Sequence, residues 1–281
     1  MKISDNWKDY ELIDTSLGYK YERWGNYYLL RPDPVILWDK GDLKNKYKKI
    51  DGIYYRSNSG GGHWESNIPN KWTIKYKELV FSIGEMGFKH TGLFPEQAYN
   101  WDFLMEKLDG KNARVLNLFA YTGGASLACL KAGASVCHVD SSKGTIAIAK
   151  ENARLSGLED KPIRYIVDDV IKFVKREIRR GNKYDVIIMD PPSYGRGANG
   201  EVWSIEKDLN NLVSLCSELL SDKPILFLIN SYSGLSKTIL DNIVKTNISS
   251  KFGGTIYSDE IGLKDRDGYE LSCGVFCRWE K

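Results

Sequence analysis

The chain has 281 residues, 42% hydrophobic and 27% charged, with a formal charge of +3. This excludes a disordered or fibrous chain and fits one large α/β domain with a smaller companion. No apolar run is long enough for a membrane-spanning helix, the first residues carry no secretory signal, and the five cysteines show no CxxC spacing. No metal site, no membrane and a reducing cytoplasm are therefore expected, and the mild positive excess permits an anionic partner without demanding one.

Residues 1–88 mix aromatic and polar residues with turn signals at Asp33-Pro34, Asp51-Gly52 and Gly60-Gly61-Gly62. Short runs such as Tyr27-Tyr28-Leu29-Leu30 and Trp72 to Tyr76 read as strands, which predicts a small β-rich domain. Lys40 to Lys49 reads as a basic loop, either solvated or in contact with a phosphate backbone.

Residues 89–281 change character. Strands are predicted at 113–119, 135–140, 163–167, 184–189 and 225–230, with a closing pair at 255–261 and 271–279. Helices are predicted at 124–132, 142–156 (capped by Ser141, stopped by Gly157), 170–180, 203–220 and 236–248. Strands alternating with helices of this length predict a Rossmann-like, doubly wound, mostly parallel seven-stranded sheet. The helix at 170–180 puts Ile171, Val174 and Ile178 on one face, leaving Lys172, Lys175, Arg176, Arg179 and Arg180, with Lys183 beyond, for solvent or RNA.

In such sheets a ligand binds at the carboxyl edge. The first strand ends in Asn117-Leu-Phe-Ala-Tyr-Thr-Gly-Gly124, where two glycines let the backbone approach a ligand or simply make a tight turn. It lacks the GxGxxG of a nicotinamide-binding fold. The second strand ends in Asp140, suited to ribose hydroxyls or to a helix cap. The third ends in Asp168-Asp169; one acid caps the next helix, and Asp169 is favoured for an adenine amine. Together these describe a pocket for an adenosine without a phosphate, which S-adenosylmethionine satisfies. The fourth strand runs into Asp190-Pro-Pro-Ser-Tyr194. Two prolines stiffen the turn and leave carbonyls as acceptors. Asp190 and the Pro191 carbonyl can grip a planar exocyclic amine while Tyr194 stacks on its ring.

Leu116 to Gly124, Val139-Asp140, Val167 to Val170, Asp190 to Tyr194 and the Phe88 to Gln97 segment resemble class I S-adenosylmethionine-dependent methyltransferases. They are most similar to the bacterial 23S ribosomal RNA cytosine-5 group, in a branch without a PUA domain. The resemblance implies a cofactor loop lined by Asn117, Phe119, Tyr121, Thr122 and Gly123, ribose contact at Asp140 with Ser141 beside it, and adenine contact at Asp169. It places Thr91 and Gln97 near the methionine end, and Asp190 between cofactor and acceptor. One departure stands out: where the group carries a cysteine nucleophile after the fifth strand, this chain has Ser231-Tyr232-Ser233-Gly234. Covalent activation of cytosine needs a thiolate, so direct transfer to an exocyclic amine in ribosomal or other structured RNA is expected instead. A methyltransferase for a protein amide or small molecule, or an RNA-binding factor without catalysis, are the alternatives.

Overall fold

The computed structural model describes every residue except 58–60, 88, 197–199 and 233. The expected domain boundary at 88, the turn glycine Gly60, and Gly197 and Ser233 of the two edge motifs lie outside the described residues. The chain packs as two compact units. One comprises Met1–Lys2, Tyr99–Ile261 and Cys273–Lys281; the other comprises Ile3–Ala98 and Gly262–Ser272.

The smaller unit is β-rich. Tyr10–Ser16, Tyr19–Trp24, Tyr27–Pro32, Gly52–Arg56 and Gly62–Ser66 form a five-stranded sheet in chain order. A second, two-stranded sheet pairs Trp72–Tyr76 with Leu79–Ile83. A buried Arg31 makes a two-pronged bond to Glu22, at 2.6 and 2.8 Å, and Tyr10 donates to the same carboxylate. Burial alone would raise Glu22; the Arg31 charge beside it wins and holds the carboxyl below its ordinary value. Much of the basic loop is solvated, with Lys44, Lys46, Lys48 and Lys49 exposed, but two of its lysines are engaged by carboxylates. Lys40 reaches Asp14, Asp265 and Asp267 at 2.6, 2.8 and 2.8 Å, and Lys46 reaches Asp14 at 2.6 Å. The loop's charge neutralises carboxylates that lie far away in sequence.

The larger unit carries the expected sheet. Its strands are β1 (Arg114–Leu118), β2 (Ser135–Asp140), β3 (Ile163–Val167), β4 (Val186–Met189), β5 (Leu226–Ser231), β6 (Thr255–Lys264) and β7 (Glu270–Glu280). Their order across the sheet is β3-β2-β1-β4-β5-β7-β6, and the two-residue strand Lys2–Ile3 adds an eighth at the β6 edge. β1 to β5 are parallel and β7 runs antiparallel to β5. β4 and β5 read as unbroken apolar runs because both faces of a parallel sheet are covered; Val186, Ile187, Met189 and Leu226 to Ile229 are all fully buried. The chain builds from β1 outward to β3, then crosses back to place β4 on the other side of β1. That reversal opens a crevice at the carboxyl ends of β1 and β4.

The helices are α1 (Ala98–Leu108), α2 (Gly124–Lys131), α3 (Lys143–Leu155), α4 (Val170–Arg179), α5 (Ile205–Ser217) and α6 (Lys237–Val244). α1 has no counterpart in the sequence reading, although its buried Trp101, Leu104 and Leu108 recur at helical spacing. α3 is capped by Ser142, whose Oγ accepts from the Thr145 amide at 3.3 Å, not by Ser141. α5 starts at Ile205 rather than at Trp203, because Val202–Ser204 pairs with Tyr194–Arg196 in a small hairpin.

Candidate functional site

The loop after β1 is strained and tightly held. Phe119 and Tyr121 have φ of 53° and 49°. Bulky residues rarely occupy that left-handed region, at a cost of about 1–3 kcal/mol each. The strain persists because neighbouring groups fix the backbone. The Ala120 amide donates to the Val139 carbonyl at 3.0 Å, the Tyr121 amide to Asp140 Oδ2 at 2.9 Å, and Asn152 Nδ2 to the Thr122 carbonyl at 2.9 Å. Asn117 lies beneath this loop, buried, with Nδ2 donating to Ser126 Oγ at 2.9 Å; that oxygen lies 3.0 Å from His138 Nδ1. Burial pushes His138 down to about 4, so the ring is neutral at physiological pH. Thr122 and Gly123 are also buried.

The two glycines are required by packing. A Cβ on Gly124 would lie 2.5 Å from the Trp101 ring. A Cβ on Gly123, which has a φ of 93°, would crowd Leu127 and Ala149 at 3.1 and 3.3 Å.

The acids at the ends of β2 and β3 divide their bonding capacity. Asp140 Oδ1 accepts from the Ser142 amide and from Thr145 Oγ1, each at 2.9 Å, while Oδ2 holds the Tyr121 amide. A carboxylate offers about four lone-pair sites, so one on Oδ2 is left. Ser141 is exposed beside it. Asp168 is spent inside the protein: Oδ1 accepts from the Asp169 amide and Oδ2 pairs with Arg176. Asp169, favoured for a ligand, is itself the acid that caps the next helix. Its Oδ1 caps α4 by accepting from the Lys172 amide at 2.8 Å, and its Oδ2 has no partner among the described residues.

The end of β4 differs. Asp190 is partly buried and receives no hydrogen bond from any described residue, and burial alone pushes its carboxyl from 3.8 up to about 6. Behind it Pro191 is buried and Pro192 exposed. The Pro192 carbonyl accepts from Trp203 Nε1 at 2.6 Å and the Ser193 carbonyl from the Ile205 amide at 3.0 Å. Among these turn carbonyls Pro191's alone stays open within the described residues. Tyr194 is 54% exposed on the hairpin, and its hydroxyl accepts from Arg196 Nε at 3.1 Å. Trp203, which the sequence reading assigned to a helix, packs on Phe119 with ring centroids 5.0 Å apart. It joins the β1 loop to the proline turn, and an isolated tryptophan in a polar stretch was its only sequence signal.

At the end of β5, Asn230 and Ser231 are buried and Tyr232 is 50% exposed. All five cysteines are buried and outside any disulfide, and burial pushes the thiols of Cys129, Cys137, Cys216 and Cys277 up. Of the basic groups on and after α4, Lys172 pairs with Glu201, Arg176 with Asp168, Arg180 with Glu177, and Lys183 donates to the Glu218 carbonyl. Lys175 and Arg179 are exposed.

Thr91 and Gln97 belong to the smaller unit. Thr91 is buried with no partner for Oγ1 among the described residues, and Gln97 ends a single helical turn, Pro95–Gln97. The adjacent His90 is pushed down to about 4 by burial. Among the described residues no three His, Cys, Asp or Glu side chains converge to hold a metal, and no helix is long and apolar enough to cross a membrane.

Residues 46–253 match the sequence profile of a family described as S-adenosylmethionine-dependent methyltransferase. The crystal structure of a SAM-dependent methyltransferase from Agrobacterium tumefaciens is 36% identical, with a TM-score of 0.92 over 99% of this chain and 92% of that one. Ribosomal RNA large subunit methyltransferase I of Aeromonas hydrophila is 34% identical over 53% of this chain. Ribosomal RNA large subunit methyltransferase K/L of Shewanella frigidimarina is 34% identical over 72% of it. The chain spans only 37% and 26% of the length of those two curated relatives.

Proposed function

The chain belongs to the S-adenosylmethionine-dependent methyltransferase family, and from that premise we propose that it methylates an exocyclic amine of a base in structured RNA, ribosomal RNA foremost. The observation that carries this reading is Asp190: a partly buried carboxylate without a partner among the described residues, at the switch-point edge, followed by two prolines. The names of the curated relatives support RNA as the acceptor class. The smaller unit is the proposed RNA-recognition module. The cytoplasm, where thiols stay reduced, is the proposed location.

The residues fit the cofactor. Asp140 has one lone-pair site left on Oδ2 for a ribose hydroxyl, and Asp169 Oδ2 is open to the adenine amine. The left-handed backbone of Phe119 and Tyr121, with Thr122 and Gly123, shapes the loop over Asn117. S-adenosylmethionine supplies, when bound, a sulfonium-activated methyl group. The protein's task is therefore alignment more than activation.

Asp190 and the Pro191 carbonyl each accept one N–H of the acceptor amine, which orients the nitrogen lone pair. They also draw electron density toward that nitrogen. As nitrogen gains its bond it becomes positive and its proton acidic. A carboxylate with a pKa of about 6 is matched to take that proton near neutral pH. Trp203 holds the turn from outside by its bond to the Pro192 carbonyl. Tyr194, exposed on the hairpin, presents a ring for an extruded base. Tyr232 and the buried thiols favour nitrogen over carbon 5 of cytosine, since no described thiol is placed to add to the ring.

The test is methyl transfer from radiolabelled S-adenosylmethionine to unmodified transcripts of ribosomal RNA, followed by mass spectrometry of the nucleosides. An N-methylated base is expected. A 5-methylcytidine product overturns the nitrogen assignment, and label that resists ribonuclease but not protease transfers the reading to a protein amide.

A further inference from the structure

Asn230 stands beside Asp190. Met189 and Ile229 are direct neighbours in the parallel ladder between β4 and β5, and Asp190 and Asn230 each follow by one residue. Adjacent strands lie about 4.8 Å apart and alternate their side chains between faces. Met189 and Ile229 point into one apolar cluster. Asp190 and Asn230 therefore share the opposite face, at the carboxyl edge.

One hydrogen bond sets the amide of Asn230. Its Oδ1 accepts from Asn100 Nδ2 on α1 at 2.9 Å, so its own Nδ2 turns away from α1. No described residue accepts from that Nδ2, although Asn230 is only 5% exposed. An amide donor in a residue this buried has little water to turn to, so a ligand that supplies an acceptor gains a hydrogen bond there.

The edge thus presents an open acceptor, the Asp190 carboxylate, next to an open donor, the Asn230 amide. The complementary ligand has an N–H donor adjacent to an unprotonated ring nitrogen. Adenine, cytosine and guanine each have an exocyclic amine beside such a nitrogen. Uracil has carbonyls in those places and a proton on the nitrogen between them. We propose that Asn230 is a specificity residue that reads the ring nitrogen next to the target amine, selecting amine-bearing bases and rejecting uracil. This rests on the reading of Asp190 as the acceptor clamp.

The test uses the full chain saturated with S-adenosylhomocysteine, and adenosine, cytidine, guanosine and uridine as probes, with dissociation constants from ligand-observed NMR. The wild type is expected to bind at least one amine-bearing nucleoside about fivefold tighter than uridine, the worth of one neutral hydrogen bond. Asn230→Leu is expected to erase that gap and to leave S-adenosylhomocysteine affinity within about twofold. Asn230→Asp keeps the shape, replaces the donor with an acceptor and is expected to erase the gap as well, which covers a leucine variant that misfolds. An unchanged gap in the aspartate variant overturns the proposal. So does the absence of any gap in the wild type, or a loss confined to S-adenosylhomocysteine binding. Failure of the wild type to bind S-adenosylhomocysteine at all counts against the cofactor reading instead.

Discussion

Two acids end neighbouring halves of the same sheet, and the protein treats them in opposite ways. Asp140, after β2, is saturated but for one lone pair: it ties the Tyr121 amide, the Ser142 amide and the Thr145 hydroxyl together. Asp190, after β4, is tied to nothing described and its carboxyl is driven up to about 6. One side of the crevice is finished architecture that can add a single contact. The other is held in an unsatisfied state, which is costly unless a ligand completes it. The contrast separates a binding half from a reacting half.

Removing the reacting acid breaks the comparison most directly. Asp190→Ala is expected to lower kcat/KM for methyl transfer by about 10²–10⁴, while calorimetry shows S-adenosylhomocysteine affinity nearly intact. Equal loss of both would make Asp190 a cofactor ligand alone.

Asp140→Ala should act on the other half. It strips three donors of their acceptor at once, so about a 10–100-fold loss of S-adenosylhomocysteine affinity is expected, with a fall in stability of about 1–3 kcal/mol. A variant with full affinity would show that the loop keeps its left-handed turns without the carboxylate.

The pH dependence sharpens the contrast. Asp190 must be ionised to accept an N–H of the amine and then its proton, so kcat/KM should fall about tenfold per unit below pH 6, and Asp190→Asn should flatten that limb. The stability effect has the opposite direction. The folded state raises this carboxyl from 3.8, so its ionised form is disfavoured there. The Asp190 contribution to stability therefore worsens as pH rises from about 4 to about 6 and is constant above. Chemical denaturation of wild type and Asp190→Asn across that window measures it.

Smaller effects test the scaffold. Gly124→Ala places a methyl 2.5 Å from the Trp101 ring and should cost about 1–3 kcal/mol by overpacking. A neutral result in thermal melts would mean the indole moves freely. Trp203→Phe keeps the ring against Phe119 but drops the bond to the Pro192 carbonyl, for about 0.5–1.5 kcal/mol. Its signature is a modest fall in kcat with cofactor affinity unchanged.

Periodicity and punctuation made the sheet legible. Buried strands of Val, Ile and Leu alternate with helices bounded by caps and glycines, and those signals are local. The acids at the strand ends were legible for the same reason, because each sits where an apolar run stops. What each acid does was not legible. Asp168 and Asp169 are adjacent and alike; only Arg176 folding back from α4 decides that the first is consumed and the second left half open. The glycines after β1 were legible as a tight turn or a close backbone approach, but not that Trp101 of α1 packs where a side chain on one of them would go. Lys40 looked like a solvent charge and instead holds Asp14 and Asp265 together.

The sequence by itself determined the alternation of strands and helices, the crevice edge and the identity of the groups that reach it. The tertiary structure alone decided which of those groups are already satisfied. Hydrogen-bond saturation and desolvation depend on neighbours brought from distant parts of the chain, and no local pattern encodes them. Asp190 and Asn230 are forty residues apart in sequence, yet each directly follows one member of the paired residues Met189 and Ile229 in adjacent strands.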